Sequence, residues 1–240
     1  MTQLLINETL LEIDHIFVCL GAAPNKLSLE KIGLICGEKV SYHPQQGTAS
    51  SLICFENTYI ELIWVEDQIK AEIYAMRSGI DFIARSYSPT KATSPFGIAL
   101  HQKPNIVHRE SNNSLNNLID QSSQSPEQFI NFAAANLALE TEPLCFMIPE
   151  QISFLSIFNP LLKDHQKLID HPLGIKKLTN TRIFMITGGN LTNPVSMLKR
   201  EGIIEIEQNY FPLLELTFDY GSRMTSVDLQ SIGIPIVLKY

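Results

Sequence analysis

Short apolar runs separated by turn-forming residues fill the first part of the chain and predict strands. β-Branched and aromatic residues are frequent in the runs at 13–19, 39–43, 48–55 and 58–65. Leucine and isoleucine recur over 27–34, with a proline before them and glycine at their end, which is typical of a short helix. The predicted order of this stretch is therefore β-α-β-β-β.

Helix-like periodicity and polar segments follow. Isoleucine and methionine recur at helical spacing and predict a helix over 69–85, in spite of Gly79. A second helix is predicted over 126–139, because a serine precedes it as cap and a proline takes its first position. Serine, asparagine and glutamine dominate 111–125, which is predicted to be an exposed loop, and 164–174 is predicted to be a polar connection.

The remaining apolar runs predict further strands. They lie at 96–101, 144–148, 181–186, 203–207, 212–218 and 234–238, with a short helix at 195–201. Leu214-Glu215-Leu216 echoes Ile60-Glu61-Leu62, so the C-terminal part is a candidate repeat of the first part. The predicted organisation is an N-terminal module with the following helix at 1–90, a middle degenerate module at 91–175 and a C-terminal module at 176–240.

Composition narrows the class of protein. Apolar residues make up 45% of the 240 residues, enough for a substantial core, and the formal net charge of -7 disfavours nucleic acid as a partner. The N-terminus lacks the features of a signal peptide, and no apolar run reaches membrane-spanning length. The four cysteines show no CxxC spacing, and three of them lie in or beside apolar runs, as buried free thiols do. Disulfides are the alternative. We therefore expect a cytoplasmic protein with no membrane partner.

Several motifs resemble those of one superfamily. The start Asp14-His15-Ile16, the corner at 43–49 and the strand Tyr59-Ile60-Glu61-Leu62 are similar to the opening module of glyoxalase-like members of the vicinal oxygen chelate superfamily. His171-Pro172-Leu173-Gly174 resembles the element that precedes the last module of that family. The run at 96–101 resembles the strand that opens its middle segment.

The resemblance implies an α+β fold in which βαβββ modules form a curled mixed sheet around a concave cup, with helices outside. Metal-dependent members take ligands from the first and last strands of a module, and these positions correspond here to His15, Glu61 and, in the C-terminal part, Glu215. The implied cofactor is a divalent metal, zinc, nickel, iron or manganese. Arg182 stands where a second histidine ligand is expected. Since arginine is permanently charged and cannot ligate a cation, it is expected to pair with a glutamate.

Other side chains are candidates for chemistry at the cup. His43, at a strand end, is predicted to act as a general base together with Glu61. Ligand contacts are predicted for Gln46, Thr48, Tyr59, Trp64, His101 and Arg182. The alternative for His43 is a hydrogen bond to the turn backbone, and the alternative for Trp64 is core packing.

Two functions remain open at this stage. One is a metal-dependent lyase or isomerase that acts on a small oxygen-containing molecule held in the cup. The other is a metal-free protein that binds or sequesters a small molecule. The resemblance supports both, because fold alone does not determine function. A metal held by His15, Glu61 and a third ligand would favour the first, and an Arg182–glutamate pair in that space would favour the second. A homodimer is a further possibility, since curled sheets with free edges can pair.

Overall fold

Two open, mixed sheets with flanking helices form an α+β fold over residues 10–103, 131–186 and 189–240, which the computed structural model describes. The first sheet consists of Leu11–Leu20 (β1), Ser41–His43 (β2), Thr48–Cys54 (β3), Tyr59–Val65 (β4), Phe96–Gln102 (β5), Asn131–Phe132 (β6) and Leu144–Met147 (β7). The second consists of Leu178–Met185 (β8), Glu205–Gln208 (β9), Leu213–Phe218 (β10), Ser226–Asp228 (β11) and Ile236–Lys239 (β12). The predicted α+β class with mixed sheets is therefore confirmed, and the strands form two sheets where one was predicted.

The α-helices of the described residues are short. They are Lys26–Ile32 (α1), Gln68–Ser78 (α2), Phe82–Arg85 (α3), Ala134–Leu137 (α4), Phe154–Ile157 (α5), Lys163–Ile169 (α6) and Asn193–Arg200 (α7). Single 3-10 turns at Glu150–Ile152, Asp219–Gly221 and Gln230–Ile232 complete the set.

Three predicted segments differ from the structure. The helix predicted over 69–85 is two helices, because Gly79, with a φ of 78°, ends α2. The described part of 126–139 forms β6 and α4 rather than one helix. Helix α6 occupies much of 164–174, which was predicted to be a connection, because most of its residues are polar and none of them is buried. The loop predicted at 111–125 lies outside the described residues.

Strand β1 is central to the seven-stranded sheet, whose order is β2-β3-β4-β1-β5-β7-β6. β1 is parallel to β4 and antiparallel to β5, and β5 is in turn parallel to β7. β3 and β6 then pair antiparallel with β4 and β7. On each side of the boundary between β1 and β5, the next strand is therefore parallel and the strand after it is antiparallel. The β-α-β-β-β order predicted for the first part of the chain is confirmed.

The five-stranded sheet follows a different order, β11-β12-β10-β8-β9. β8 and β9 are parallel neighbours connected through α7, and β10 pairs antiparallel with β8. In the first part of the chain, by contrast, the first strand lies beside the fourth. The C-terminal strands thus differ in order from β1–β4, although Glu215 and Glu61 have similar sequence surroundings.

The two sheets pack face to face through one apolar layer. The first sheet contributes alternate residues of its strands, such as Ile16 and Val18 in β1 and Leu62 in β4. The second sheet contributes Ile183, Met185, Leu214, Leu216, Phe218, Ile236 and Leu238. The opposite side of the first sheet, which we call the outer face, is covered by side chains of α2, α3 and α5.

Two polar side chains connect distant segments. The Asn57 amide donates to the Leu178 carbonyl and accepts from the Leu178 N–H, both at 2.9 Å, and so joins the two sheets. His171 accepts from the Ile35 N–H through Nδ1 and donates to the Cys54 carbonyl through Nε2, both at 2.9 Å. Burial lowers the pKa of His171, which favours the neutral ring that this pairing requires.

Within the described ranges, no helix combines the length and apolar character that a membrane crossing needs. The four cysteines are free and buried, which confirms their predicted state. Burial raises the pKa of Cys19 to about 12, so its thiol stays protonated and unreactive.

Gly97 is required by the packing of the outer face, and we expect Gly97→Ala to destabilise the protein. An added Cβ would lie 2.0 Å from the Phe17 ring. The expected loss in the free energy of unfolding, measured by urea denaturation, is about 1–3 kcal/mol. Gly189→Ala is the control, since nothing lies within 4 Å of its Cβ position. The smaller side chain of Phe17→Leu should reduce the loss caused by Gly97→Ala. An equal loss in the Phe17 and the Phe17→Leu backgrounds would contradict this explanation.

Candidate functional site

A β-bulge in β1 turns two adjacent polar side chains toward the outer face. The register between β1 and β5 shifts between Ile13 and His15, which leaves Asp14 without a partner residue across the ladder. Asp14 accepts hydrogen bonds from His15 Nδ1 at 2.7 Å and from the Phe154 N–H at 2.6 Å. The bulge therefore places a buried carboxylate behind the imidazole of His15.

Histidines and carboxylates alternate across four strands on the outer face. We call this set the histidine–carboxylate row, and its members in spatial order are His43, Glu61, His15, Asp14, His101 and Glu12. Glu61 Oε1 lies 3.6 Å from His43 Nε2, and Glu61 Oε2 lies 3.9 Å from His15 Nε2. The row thus holds one glutamate between two imidazoles.

Glu61 has an ionised carboxylate in a largely buried position. Burial acts to raise its pKa, but the interactions with His43, His15 and Ser50 together outweigh this effect and lower the pKa. The His43 ring also lies 3.2 Å from the Ser50 hydroxyl. The side chains of His43 and Glu61 are 23% and 15% exposed, so this end of the row is in contact with solvent.

His15 is fixed on all sides. Its ring stacks on Tyr59 with centroids 4.3 Å apart and meets Phe146 edge-on at 5.7 Å. Since Nδ1 donates to Asp14, Nε2 is directed toward Glu61. Tyr59 in turn packs on Phe154 of α5. His15 therefore supports Glu61 from inside the protein and has little surface of its own.

The other end of the row leads to an open cleft between the two sheets. His101 is buried, and its Nε2 lies 2.8 Å from Glu12 Oε1 while its Nδ1 lies 3.5 Å from Asp14 Oδ2. Glu12 lines the cleft, which has a volume of about 320 Å³ and is also bordered by Lys103 and Thr181. The cleft is separated from His43 and Glu61 by the length of the row.

Only some of the predicted site residues come together. His15, His43, Glu61, Tyr59 and His101 all belong to or contact the row.

Two residues of the predicted corner lie beside the row, and one predicted residue lies on the other side of the sheet. Thr48 is buried and its hydroxyl donates to the Gln46 side chain at 3.2 Å. Trp64 is buried on the side opposite to Glu61, with its indole N–H bonded to Glu66 at 2.9 Å. Trp64 is therefore packed in the core, as the alternative prediction had it, and does not contact the row.

The predicted metal ligands are not brought together. Glu215 lies on the five-stranded sheet, on the side that faces away from the seven-stranded sheet. It accepts from Arg182 Nη1 at 3.1 Å and from Lys239 Nζ at 2.6 Å. Arg182 also bonds Glu205 at 2.6 Å. The set of His15, Glu61 and Glu215 therefore does not fit a divalent metal.

No alternative metal cluster takes its place in the described part of the chain. Over residues 10–103, 131–186 and 189–240, no group of three or more His, Cys, Asp or Glu side chains is placed to hold a metal ion. The pairing of Arg182 with Glu215 matches the expectation that this arginine pairs with a glutamate.

Sequence reasoning missed three members of the site, namely Asp14, Glu12 and Ser50. Asp14 belongs to the predicted opening motif, but in a regular strand its side chain and that of His15 would point to opposite faces of the sheet. Only the bulge brings the two side chains to the same side, and nothing in the local sequence signals it. Nothing in the local sequence distinguishes Ser50 from its equally polar neighbour Ser51 in β3.

Comparisons with known proteins add little to the site. No model of a protein family matches the chain, and no curated protein matches it. Among solved structures, the chain is similar to the crystal structure of a hypothetical protein from Staphylococcus aureus, with 15% sequence identity and a TM-score of 0.49. That match covers 95% of this chain and 99% of the other.

We expect Asp14→Ala to be strongly destabilising. It removes a buried acceptor and leaves His15 Nδ1 and the Phe154 N–H unpaired, which should reduce the free energy of unfolding by about 3 kcal/mol. Urea denaturation at neutral pH measures the change. Asp164→Ala is the matched control, because that carboxylate is at the surface beside Lys167 and its loss should leave stability unchanged. Equal effects of the two substitutions would contradict the role given to Asp14.

Proposed function

We propose that this protein binds a small oxygen-containing molecule, without a metal, at the His43–Glu61 end of the row. The observation that carries the proposal is the position of the Glu61 carboxylate between two imidazoles, with 15% of its side chain still exposed. A charged group held in this way is ready to accept a hydrogen bond from a ligand. The resemblance to glyoxalase-like proteins agrees with a ligand site on this face.

The chemistry of the site favours ligands with a hydroxyl or carbonyl group. The His43 imidazole N–H can donate to a ligand oxygen, and the Glu61 carboxylate can accept from a ligand hydroxyl. Ser50 adds a hydroxyl beside His43. Ile63 and Val65 of β4 belong to the apolar cluster of the outer face and share that face with Glu61, and small-molecule sites are mostly apolar.

The position of Glu215 on the five-stranded sheet supports binding without a metal. Glu215 would have to leave Arg182 and Lys239, and it would have to reach the opposite side of the molecule, to join His15 and Glu61. His43 also lies beside Glu61, but no group of three or more His, Cys, Asp or Glu side chains in the described part of the chain is placed to hold a metal ion.

A second candidate is a lyase or isomerase that uses the same residues. The 3.6 Å separation of His43 and Glu61 favours it, because a carboxylate beside an imidazole can take a proton from a bound molecule and pass it on. Binding is the first step of both candidates. Incubation in deuterated water distinguishes them. A binding protein returns the molecule unchanged, whereas a lyase or isomerase converts it or exchanges one of its C–H hydrogens for deuterium.

The test is binding of a panel of small hydroxy and oxo compounds, with the neutral compounds glycerol and hydroxyacetone first, followed by NMR of the full chain. We expect shifts centred on His43, Ser50 and Glu61. Glu61→Gln should weaken binding at least about tenfold, or ~1.4 kcal/mol, because the amide lacks the charge that accepts the ligand hydroxyl.

Glu215→Gln is the matched control, since its carboxylate is on the other sheet, and it should bind as the wild type does. EDTA should have no effect. Binding that appears only after addition of nickel, zinc or manganese, or that Glu215→Gln weakens as much as Glu61→Gln, would refute the proposal.

A further inference from the structure

Helix α2 presents an apolar stripe to solvent. Ile69, Ile73 and Met76 are 71%, 44% and 79% exposed. They are the residues whose helical spacing predicted this helix. Exposed large apolar residues that are contiguous on one helix face are typical of an interaction surface rather than of a monomer surface.

The opposite side of α2 holds the helix on the protein. Ala71 is buried, and the N–H groups of Glu66 and Asp67 both donate to the Gly47 carbonyl at 2.9 and 3.0 Å. A Cβ on Gly47 would lie 2.5 Å from the Ala71 nitrogen, so no side chain fits between the helix and the sheet corner. The helix is therefore anchored through this side, and the stripe is directed away from the other residues that the structure describes.

The spacing of the stripe is that of a coiled-coil seam. Ile69, Ile73 and Met76 are separated by four and then three residues, which places them at positions d, a and d of a heptad. Ala71 then falls at position f, the position farthest from a seam, which agrees with its burial against the protein. The stripe is suited to pack against another helix with the same spacing.

The charges beside the stripe favour a second copy of α2 as the partner, in the parallel orientation. Glu72 stands at position g on one flank, and Lys70 and Arg77 stand at position e on the other. In a parallel pair of helices, position g faces position e of the next heptad on the partner. Two parallel copies of α2 would therefore place each Glu72 opposite the other copy's Arg77. An antiparallel pair would instead place the basic flanks together.

We propose that α2 is a self-association surface, on which a second copy of this chain docks in parallel and in register through the stripe. The seam has three residues per helix, well below the ~800 Å² per partner of a typical stable interface. The dimer is therefore weak and forms in a concentration-dependent manner. This inference does not depend on the function proposed for the histidine–carboxylate row.

Cysteine crosslinking of the full chain tests the geometry. The four native cysteines are buried, so a cysteine on α2 is the reactive one. Ile69→Cys, Ile73→Cys and Met76→Cys should each form a disulfide-linked dimer under mild oxidation, because like residues are adjacent in a parallel pair. Lys167→Cys, at an exposed position on α6, is the control. The α2 variants should crosslink at least about tenfold faster, since docking raises the effective concentration of the thiols.

Sedimentation equilibrium with charge variants tests the partner. The wild type should show a monomer–dimer equilibrium, and Ile73→Asp should abolish it while circular dichroism remains unchanged. Arg77→Glu should weaken the dimer, and Glu72→Arg/Arg77→Glu should restore it, because the swap keeps opposite charges face to face. A monomer at all concentrations with no faster crosslinking than the control would overturn the proposal. A dimer insensitive to Ile73→Asp, or crosslinking at one α2 position alone, would also overturn it.

Discussion

The two-residue periodicity of β1, broken once by the bulge at Asp14, is the constraint on which the rest of the structure depends. One side of the strand places Ile16 and Val18 in the apolar layer that joins the two sheets. The other side places His15 and Phe17 on the outer face. Because β1 is central and pairs with both β4 and β5, a shift by one residue would exchange these two sides. The same pairing therefore determines both the core and the position of the site.

The site in turn depends on the pairing of its buried carboxylates with imidazole rings and hydrogen-bond donors. A carboxylate removed from water is costly unless other groups pair with it. Asp14 is compensated by His15 and the Phe154 N–H, and Glu61 is compensated by His15, His43 and Ser50. His15 contributes to both, so the row is expected to behave as one unit rather than as separate pairs. At the His43 end of the row, His43 and Glu61 are partly exposed to solvent.

The sequence predicted the local part of this arrangement and missed the part that depends on distant pairing. The β-α-β-β-β order follows from short-range alternation and is present. The closeness of His15 and Glu61, which the resemblance implied, is also present, but it depends on the pairing of β1 with β4. Glu215 was grouped with them because its neighbours resemble those of Glu61. Sheet membership is decided by long-range packing, which separates the two glutamates.

Periodicity also identified the apolar face of α2 without revealing which way it points. A stripe of isoleucine and methionine looks the same in sequence whether the core or a second copy covers it. The burial of Ala71 and the position of Gly47 against the helix supply the direction. The bulge at Asp14 is a comparable case, since an added residue in a strand is defined only by its partner strand.

The most direct test of the assembled row is a site-specific NMR titration of the Glu61 side-chain carboxyl carbon. The account predicts a pKa below the ordinary 4.5, raised when His43→Gln removes one partner. A carboxyl with a lowered pKa stabilises the fold above its unfolded pKa, and this stability is lost as the pH falls through the folded value. A Glu61 pKa above 4.5 would show that burial outweighs the imidazoles and would contradict the account.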